Sequence, residues 1–527
     1  MILDIHECQP GSPLVGDVCI IGSGAAGITL AREFLGTQHS VLMLEGGGNS
    51  FEKFSQDPYR SLVTGLPHGG IHEGRVRILG GSTTLWAGQA LRLFDIDFAK
   101  RDWVPYSGWP IDRTTLDPYY LRAEDVMKIP RSTNDQRSWP SPNYPPPDYD
   151  AQKLTTSYSQ FAAVPNFSDK YREVLMDAPN IRLLLHANVT QLIPNESASA
   201  LREIQVQSLD GHALLVLARY FIICCGGIEN ARLLLLSNSV ERNGIGNRYD
   251  VVGRFFQDHP GIALPIKPLQ SKRFQALYNS TRHNGVRCSV KIMASPELQK
   301  SHKVLHVGSE VYYPIAEDDP IRAAKDLLKG VKRRQFTGLP TRLARVALRP
   351  QKVIGAVLRH YIRRMPASVG SGDPYLGVGG EQQPNPSSRV SLYNERDVLG
   401  LRRTKLNWCL TSDDSRSILT FATVLASEWR RLGIAELNTD SIEILGREKG
   451  KHGGYVDANH HMGTTRMGTD PTTSVVDARC RVHGYDNLYV GGSSVFPTGG
   501  FSNPTLTVLA LCLRIADELK ERLTTCR

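Results

Sequence analysis

Two sets of residues, near opposite ends of this 527-residue chain, have types and spacings that could do chemistry. Towards the C-terminus, His460 and His461 directly precede Met462-Gly463-Thr464-Thr465-Arg466-Met467-Gly468, and Asn503 stands beyond a glycine-bearing loop. An imidazole titrates near neutrality and can take a hydroxyl proton, while a carboxamide can donate to the same oxygen. That pairing suits proton removal from an alcohol. In isolation, adjacent histidines are more often structural; no third ligand stands at a metal-binding spacing, so no metal is expected. Asp258 and His259, in VGRFFQDHP, form another polar pair, which beside Pro260 reads as a turn anchor.

Towards the N-terminus, an apolar run at 18–21 breaks into Gly22-Ser23-Gly24-Ala25-Ala26-Gly27 and then into a helical pattern. Such a turn lets the first amides of a helix approach a pyrophosphate. The next apolar run ends on Glu45, whose carboxylate can accept both hydroxyls of an adenosine ribose. Strand, glycine turn, helix, strand and acid fall at the offsets of a dinucleotide site, and an acid at the ribose favours FAD or NAD over NADP. Downstream, Arg77 and the run Gly81-Ser82-Thr83-Thr84-Leu85-Trp86 offer amides, hydroxyls and a flat ring to an extended ligand. Gly226 opens another strand-to-helix turn, and the pair Gly491-Gly492 lies between the imidazole and the carboxamide.

The pattern predicts an α/β protein. A helix is expected at 116–127, entered through Pro118, and a proline-rich extended crossing at 139–147. Residues 181–193, 202–207 and 213–217 alternate as strands of a small antiparallel ribbon, followed by a buried strand at 220–225. Over 261–453 the strands expected at 286–293, 304–313, 389–392 and 405–410 carry no glycine fingerprint. With a helix at 415–432, capped by Thr411 or Ser412, they read as a second region on an antiparallel sheet, the substrate side of a cleft. A long helix at 507–521 closes the chain.

The net charge of +10 is local. Between Arg322 and Arg364 stand 13 Lys or Arg and one acid, Asp326, a net +12, so the remainder of the chain carries −2. Apolar residues recur there at helical intervals, broken by Gly330, Pro340 and Pro350. Basic amphipathic helices of this kind lie on an anionic membrane or partner, recruit an acidic substrate, or form a solvated lid. Sparse aromatics, Phe336 and Tyr361, make nucleic acid a poor partner. Nine scattered cysteines without a CxxC pair fit reduced, buried thiols, and neither a signal peptide nor a membrane-spanning run is visible, so a cytoplasmic address is expected.

The motifs GSGAAG with Glu45, GGSTTLW, SGWPI with PYYLRAE, CGGIENARLLL, VGRFFQDHP, NPSSRVSL, HHMGTTRMG and NLYVGGSSVFPTGGFSNPTLT, in this order, resemble the glucose-methanol-choline flavin oxidoreductases. The last block is most similar to the pyranose oxidase and sugar or polyol dehydrogenase branch. The resemblance implies an FAD-binding Rossmann-like, three-layer domain from 1–260 and 454–527, and a substrate domain from 261–453 with a helical insertion near 321–365. It implies His460 as the catalytic base, Asn503 as its partner, Val189 at the adenine and Thr505 near the flavin pyrimidine, with His461 in a second-shell or substrate-contacting place. Gly22, Ser23, Gly24, Ala25, Ala26, Gly27, Glu45, Arg77, Gly81, Ser82, Thr83, Thr84, Trp86, Gly492, Asn503 and Thr505 form the expected cofactor site. Where some members carry a flavin-linking histidine, this chain has Leu85, so noncovalent FAD is expected.

The implied reaction passes a carbinol hydrogen of a sugar, polyol or glycosylated metabolite to flavin N5 as hydride while His460 removes the hydroxyl proton, giving an aldehyde or ketone. Oxygen, a quinone or another carrier would reoxidise the flavin. A lyase-like or purely binding flavoprotein is the competing class. Substrate identity and oligomeric state have no motif in the sequence.

Overall fold

The computed structural model describes residues 1–9, 11–131, 145–316, 318–333, 339–361, 372–438 and 454–525. Most of the expected crossing at 139–147, and Arg334, Phe336, Arg363 and Arg364 of the basic segment, lie outside the described residues.

A sheet with a parallel centre carries the glycine turns. Its order runs Ile2–Asp4, Ile181–Leu185, Val41–Leu44, Leu14–Ile21, Ala213–Ile223, Leu201–Gln207, Asn188–Pro194, and Leu488–Val490 pairs with the far half of Ala213–Ile223. Val18 to Ile21 and Val41 to Leu44 are buried throughout, as expected of strands covered on both faces. The chain leaves Leu14–Ile21 through Gly22, at φ 106°, a backbone conformation that favours glycine. Helix Ala25–Arg32 then packs so close that a Cβ on Gly27 would stand 1.9 Å from the Gly22 carbonyl oxygen. Leu488–Val490 runs parallel to Phe221–Ile223, and so brings the C-terminal loops to the same sheet end as Gly22. The final helix, Thr505–Thr525, seals this half with a face of fully buried residues that includes Leu509, Leu513 and Leu519, packed on helices Arg113–Met127 and Ala25–Arg32.

The second sheet is antiparallel, in the order Ala435–Leu437, Gly261–Pro268, Tyr375–Gly380, Val307–Tyr312, Val286–Ala294, Leu154–Phe161, Gln89–Ala90, with Thr281–His283 on Val286–Ala294. Its apolar face (Ile262, Leu264, Val290, Ile292, Val311, Leu376, Val378) buries against Phe421, Leu425 and Trp429 of helix Ser412–Arg431. Thr411 caps that helix in a reciprocal box with Asp414. A small sheet joins Arg389–Arg396, Arg402–Asn407 and Leu62–Val63.

Pairing corrects several expectations. The antiparallel sheet takes strands from 89–90 and 154–161, and Leu62–Val63 pairs with Arg402–Asn407, so a boundary at residue 260 does not separate the sheets. Ile181–Leu185 is a parallel strand beside Val41–Leu44, not part of the antiparallel ribbon, because its residues are buried on both faces. The helix expected from 116 begins at Arg113, capped by Asp112, whose Oδ1 accepts the Thr115 amide at 2.8 Å; Pro118 lies inside it.

The basic segment forms three helices, Pro320–Arg333, Leu339–Leu348 and Pro350–Tyr361, which pack on one another. No described helix is long and apolar enough to cross a membrane. The cysteines among the described residues are all free thiols.

Candidate active site

A cavity of about 560 Å³ runs along the ends of the parallel strands. Gly22, Ser23, Gly24, Ala25, Ala26, Glu45, Arg77, Gly81, Ser82, Thr83, Leu85, Trp86 and Val189 line it, and so do His460, His461, Gly492, Asn503 and Thr505. Residues more than 400 positions apart thus share one wall. Two expected contacts are absent from that lining. Gly27 is turned into helix–strand packing, and the Thr84 hydroxyl donates instead to the Gly81 carbonyl at 2.9 Å.

The shape and polarity fit an extended dinucleotide. Gly24 has nothing within 4 Å of the place a Cβ would occupy, so a side chain there would fill the cavity at the start of helix Ala25–Arg32. Glu45 is buried beside this turn; its Oε2 accepts from the Ser23 amide (3.2 Å) and hydroxyl (2.6 Å), and its Oε1 from the Gly47 amide (2.9 Å). An ionised carboxylate has about four acceptor directions. Ser23 and Gly47 engage three of them in this structure. Burial pushes its pKa up, against those hydrogen bonds and the Arg77 charge. Trp86 donates Nε1–H to the Pro165 carbonyl at 2.9 Å, which fixes its ring at the cavity wall.

At the opposite end, Asn503 Nδ2 stands 3.4 Å from His460 Nε2, and His460 Nδ1 stands 2.9 Å from His259 Nδ1. If the carboxamide donates to Nε2, then Nδ1–H donates to His259. The Nε2 lone pair then faces the same space as the carboxamide. Burial pushes the pKa of His460 down to about 3, the His259 ring lowers it further, and the Asp258 carboxylate opposes both. His460 is therefore neutral at neutral pH, the state in which an imidazole can accept a proton.

Asp258 organises the loop that carries this ring. Its carboxylate, fully buried, accepts backbone amides from His259 (2.6 Å), Ala458 (3.1 Å) and His460 (3.0 Å), and Nε2 of His68 stands 3.0 Å away. Although burial pushes the Asp258 carboxyl up, the His68 hydrogen bond and the neighbouring imidazoles hold it well below the usual carboxylate range. Reading VGRFFQDHP as a turn anchor captured the backbone role but not its service to residue 460. His68, nearly 400 residues away in an unmarked loop, left no signal in the sequence.

His68, Asp258 and His461 bring ligand-type atoms within 4.8 Å of one another, a group the sequence spacing does not reveal. Ile71 N–H donates to His68 Nδ1 at 3.1 Å, so His68 carries its proton on Nε2 and gives it to Asp258. A metal at Nε2 would need that proton removed and Nδ1 protonated against the Ile71 amide, which favours the hydrogen-bonded reading. His461 stacks at a tilt between His68 and Phe256, with its pKa pushed down to about 3 by burial.

Across the cavity, Gln89 belongs to the edge of the antiparallel sheet. Its Nε2 donates to Ser159 Oγ at 2.7 Å and meets Glu310 at 3.5 Å, and Glu310 also receives Ser289, Lys291 and Tyr312. Burial pushes the Glu310 carboxyl up, but the Lys291 ammonium holds it below its ordinary value. The Lys291 charge reaches His460, whose pKa it helps to lower. Gln89 of this sheet thus shares the cavity with the His460–Asn503 pair.

A family model described as GMC oxidoreductase matches residues 384–512. The large subunit of fructose dehydrogenase from Gluconobacter japonicus is 24% identical over 96% of this chain and 98% of that protein. Pyranose 2-oxidase from Tricholoma matsutake is 48% identical over a stretch covering 11% of each chain. The crystal structure of formate oxidase superposes with a TM-score of 0.58 at 17% identity, covering 99% of this chain and 100% of that one, a likeness of fold. With the strand–glycine-turn cavity and the histidine loop on one sheet end, these matches show an oxidoreductase similar to the GMC oxidoreductases, a family whose oxidase and dehydrogenase members act on CH–OH groups.

Proposed function

We propose that this protein oxidises a secondary or primary alcohol of a sugar or polyol to the ketone or aldehyde, with His460 as base and Asn503 orienting the hydroxyl. The observation that carries this reading is the His460–Asn503 pair in the same cavity as the Ser23–Glu45 cradle. When bound, FAD supplies the two-electron acceptor to which the carbinol hydrogen passes as hydride. His460 Nε2 holds the hydroxyl proton as it leaves, and the Asp258 carboxylate behind the ring favours the imidazolium so formed. Asn503 donates to the alcohol oxygen and so aims its carbon. Gln89 at the cavity wall, held by Ser159 and backed by Glu310, suits a hydroxyl-bearing substrate, and the likeness to fructose dehydrogenase supports a sugar. Leu85 at the cavity wall has no nucleophile, which supports noncovalent cofactor.

The test is anaerobic mixing of the yellow holoenzyme with a panel of sugars, polyols and simple alcohols. Bleaching of the flavin by a polyhydroxylated compound is expected, and its absence with every alcohol would favour a non-oxidative role. Admission of air then separates an oxidase from a dehydrogenase. His460→Ala should keep its flavin and lose about 1,000-fold in reduction rate. Undiminished reduction in that variant rejects His460 as the base.

A further inference from the structure

We infer that helices Leu339–Leu348 and Pro350–Tyr361 form a docking surface for an anionic lipid bilayer. The first has no fully buried side chain, only Leu339, Arg342 and Val346 being half-buried. Amphipathic helices on globular proteins normally bury their apolar stripe. Here Leu343, Leu348, Ile354, Val357 and Leu358 are 48–79% exposed, while Ala356 is packed inward. Five large aliphatic side chains within 16 residues make a cluster, not the scattered single exposures common on a protein surface.

Charge selects the partner. Residues 339–361 include Arg342, Arg345, Arg349, Lys352 and Arg359, and no acid. A second copy docked through the same face would oppose two such basic surfaces, with no acidic side chain from either segment to offset them. Nucleic acid would match the charge but leave the aliphatic cluster without a contact. A bilayer with anionic headgroups matches both: aliphatic side chains enter the acyl boundary, and Arg and Lys stems lie along it with their charges at the headgroups. Because no described helix can span a membrane, the attachment is peripheral. The helices contribute nothing to the cavity lining, so docking and chemistry are separable by mutation.

The experiment is co-sedimentation of full-length holoenzyme with phosphatidylcholine vesicles and with vesicles in which about a third of the lipid is phosphatidylglycerol, at low and high salt. Wild-type protein should pellet with the anionic vesicles at low salt. Arg349→Gln with Lys352→Gln should weaken this about 10- to 30-fold, near 1 kcal/mol per charge. Leu348→Ser with Ile354→Ser should weaken it comparably and reduce the fraction that persists at high salt. Flavin content and alcohol oxidation should be unchanged in both, which separates failed docking from failed folding. Absence of wild-type binding, equal binding to neutral vesicles, or binding indifferent to both variants overturns the inference. Retention on DNA or self-association abolished by the same substitutions, without vesicle binding, assigns the surface to another partner and overturns it too.

Discussion

The two sheets meet one cavity by different means. The parallel sheet presents backbone and small residues: Gly22, Ser23, Gly24, Gly226 and Gly492 at the strand ends. The antiparallel sheet presents a side chain, Gln89, backed by a linked, largely buried row of Ser159, Ser289, Lys291 and Glu310. A backbone cradle tolerates almost no substitution, because any Cβ occupies ligand space or collides with the chain. A side-chain wall keeps its geometry while its chemistry is exchanged. The difference teaches why one half reads as a motif and the other does not: main-chain approach restricts residue type, while replaceable side-chain groups do not; under the proposed function the first would hold the coenzyme and the second would face the substrate.

Substitutions on the two sides should therefore fail differently. The largest effect is expected at Gly24→Val, which meets no protein atom within 4 Å and so folds, but fills the cradle. FAD affinity should fall by roughly 100-fold or more, about 2.7 kcal/mol, measured by flavin fluorescence titration. A yellow, fully loaded variant would break the comparison from the backbone side. Next is Asp258→Asn, at the junction: the flavin stays, but weaker anchoring of the Ala458 and His460 amides should slow reduction by up to about 100-fold. A raised KM at unchanged reduction rate would show that Asp258 does not position the base.

On the side-chain wall, Lys291→Met with Glu310→Gln removes both charges, so neither is left buried alone. KM for a polyhydroxylated substrate should rise about tenfold with the limiting reduction rate little changed. A loss of bound FAD instead would show that this wall also holds the coenzyme. The most gradual effect is acid sensitivity at the junction, small per step of pH. His460 and His461 stay neutral in the folded protein down to about pH 3 but take a proton near 6.5 when unfolded. The unfolded state thus binds more protons between those values, and stability should fall on acidification through that window by about 1.4 kcal/mol per pH unit for each histidine. Denaturant titrations across the window check the slope, and His461→Gln should make it shallower.

Much of the coenzyme half was legible because its rules are local. Gly22 to Gly27 and Glu45 are separated by one strand–helix–strand unit, and the Thr411–Asp414 cap needs only four residues. The misreadings came where pairing is non-local. Ile181–Leu185 reads as a ribbon strand until Val41–Leu44 is seen beside it, and Gln89–Ala90 is too short to announce a strand. His68 was invisible for the same reason: its partner Asp258 is 190 residues away.

The sequence by itself determined that a glycine turn and an acid at the spacing of a dinucleotide site stand near the N-terminus, that an imidazole and a carboxamide stand near the C-terminus, and that one basic amphipathic stretch interrupts the chain. Glycine conformation, side-chain chemistry and helical spacing are properties of neighbouring residues, so they survive in one dimension. Only the tertiary structure decided that Leu488–Val490 lies beside Ala213–Ile223, that Asp258 and His259 stand behind His460, and that Leu343 and Leu348 are left exposed. Each of these depends on which distant segment packs against which, a competition among long-range contacts that no local pattern records.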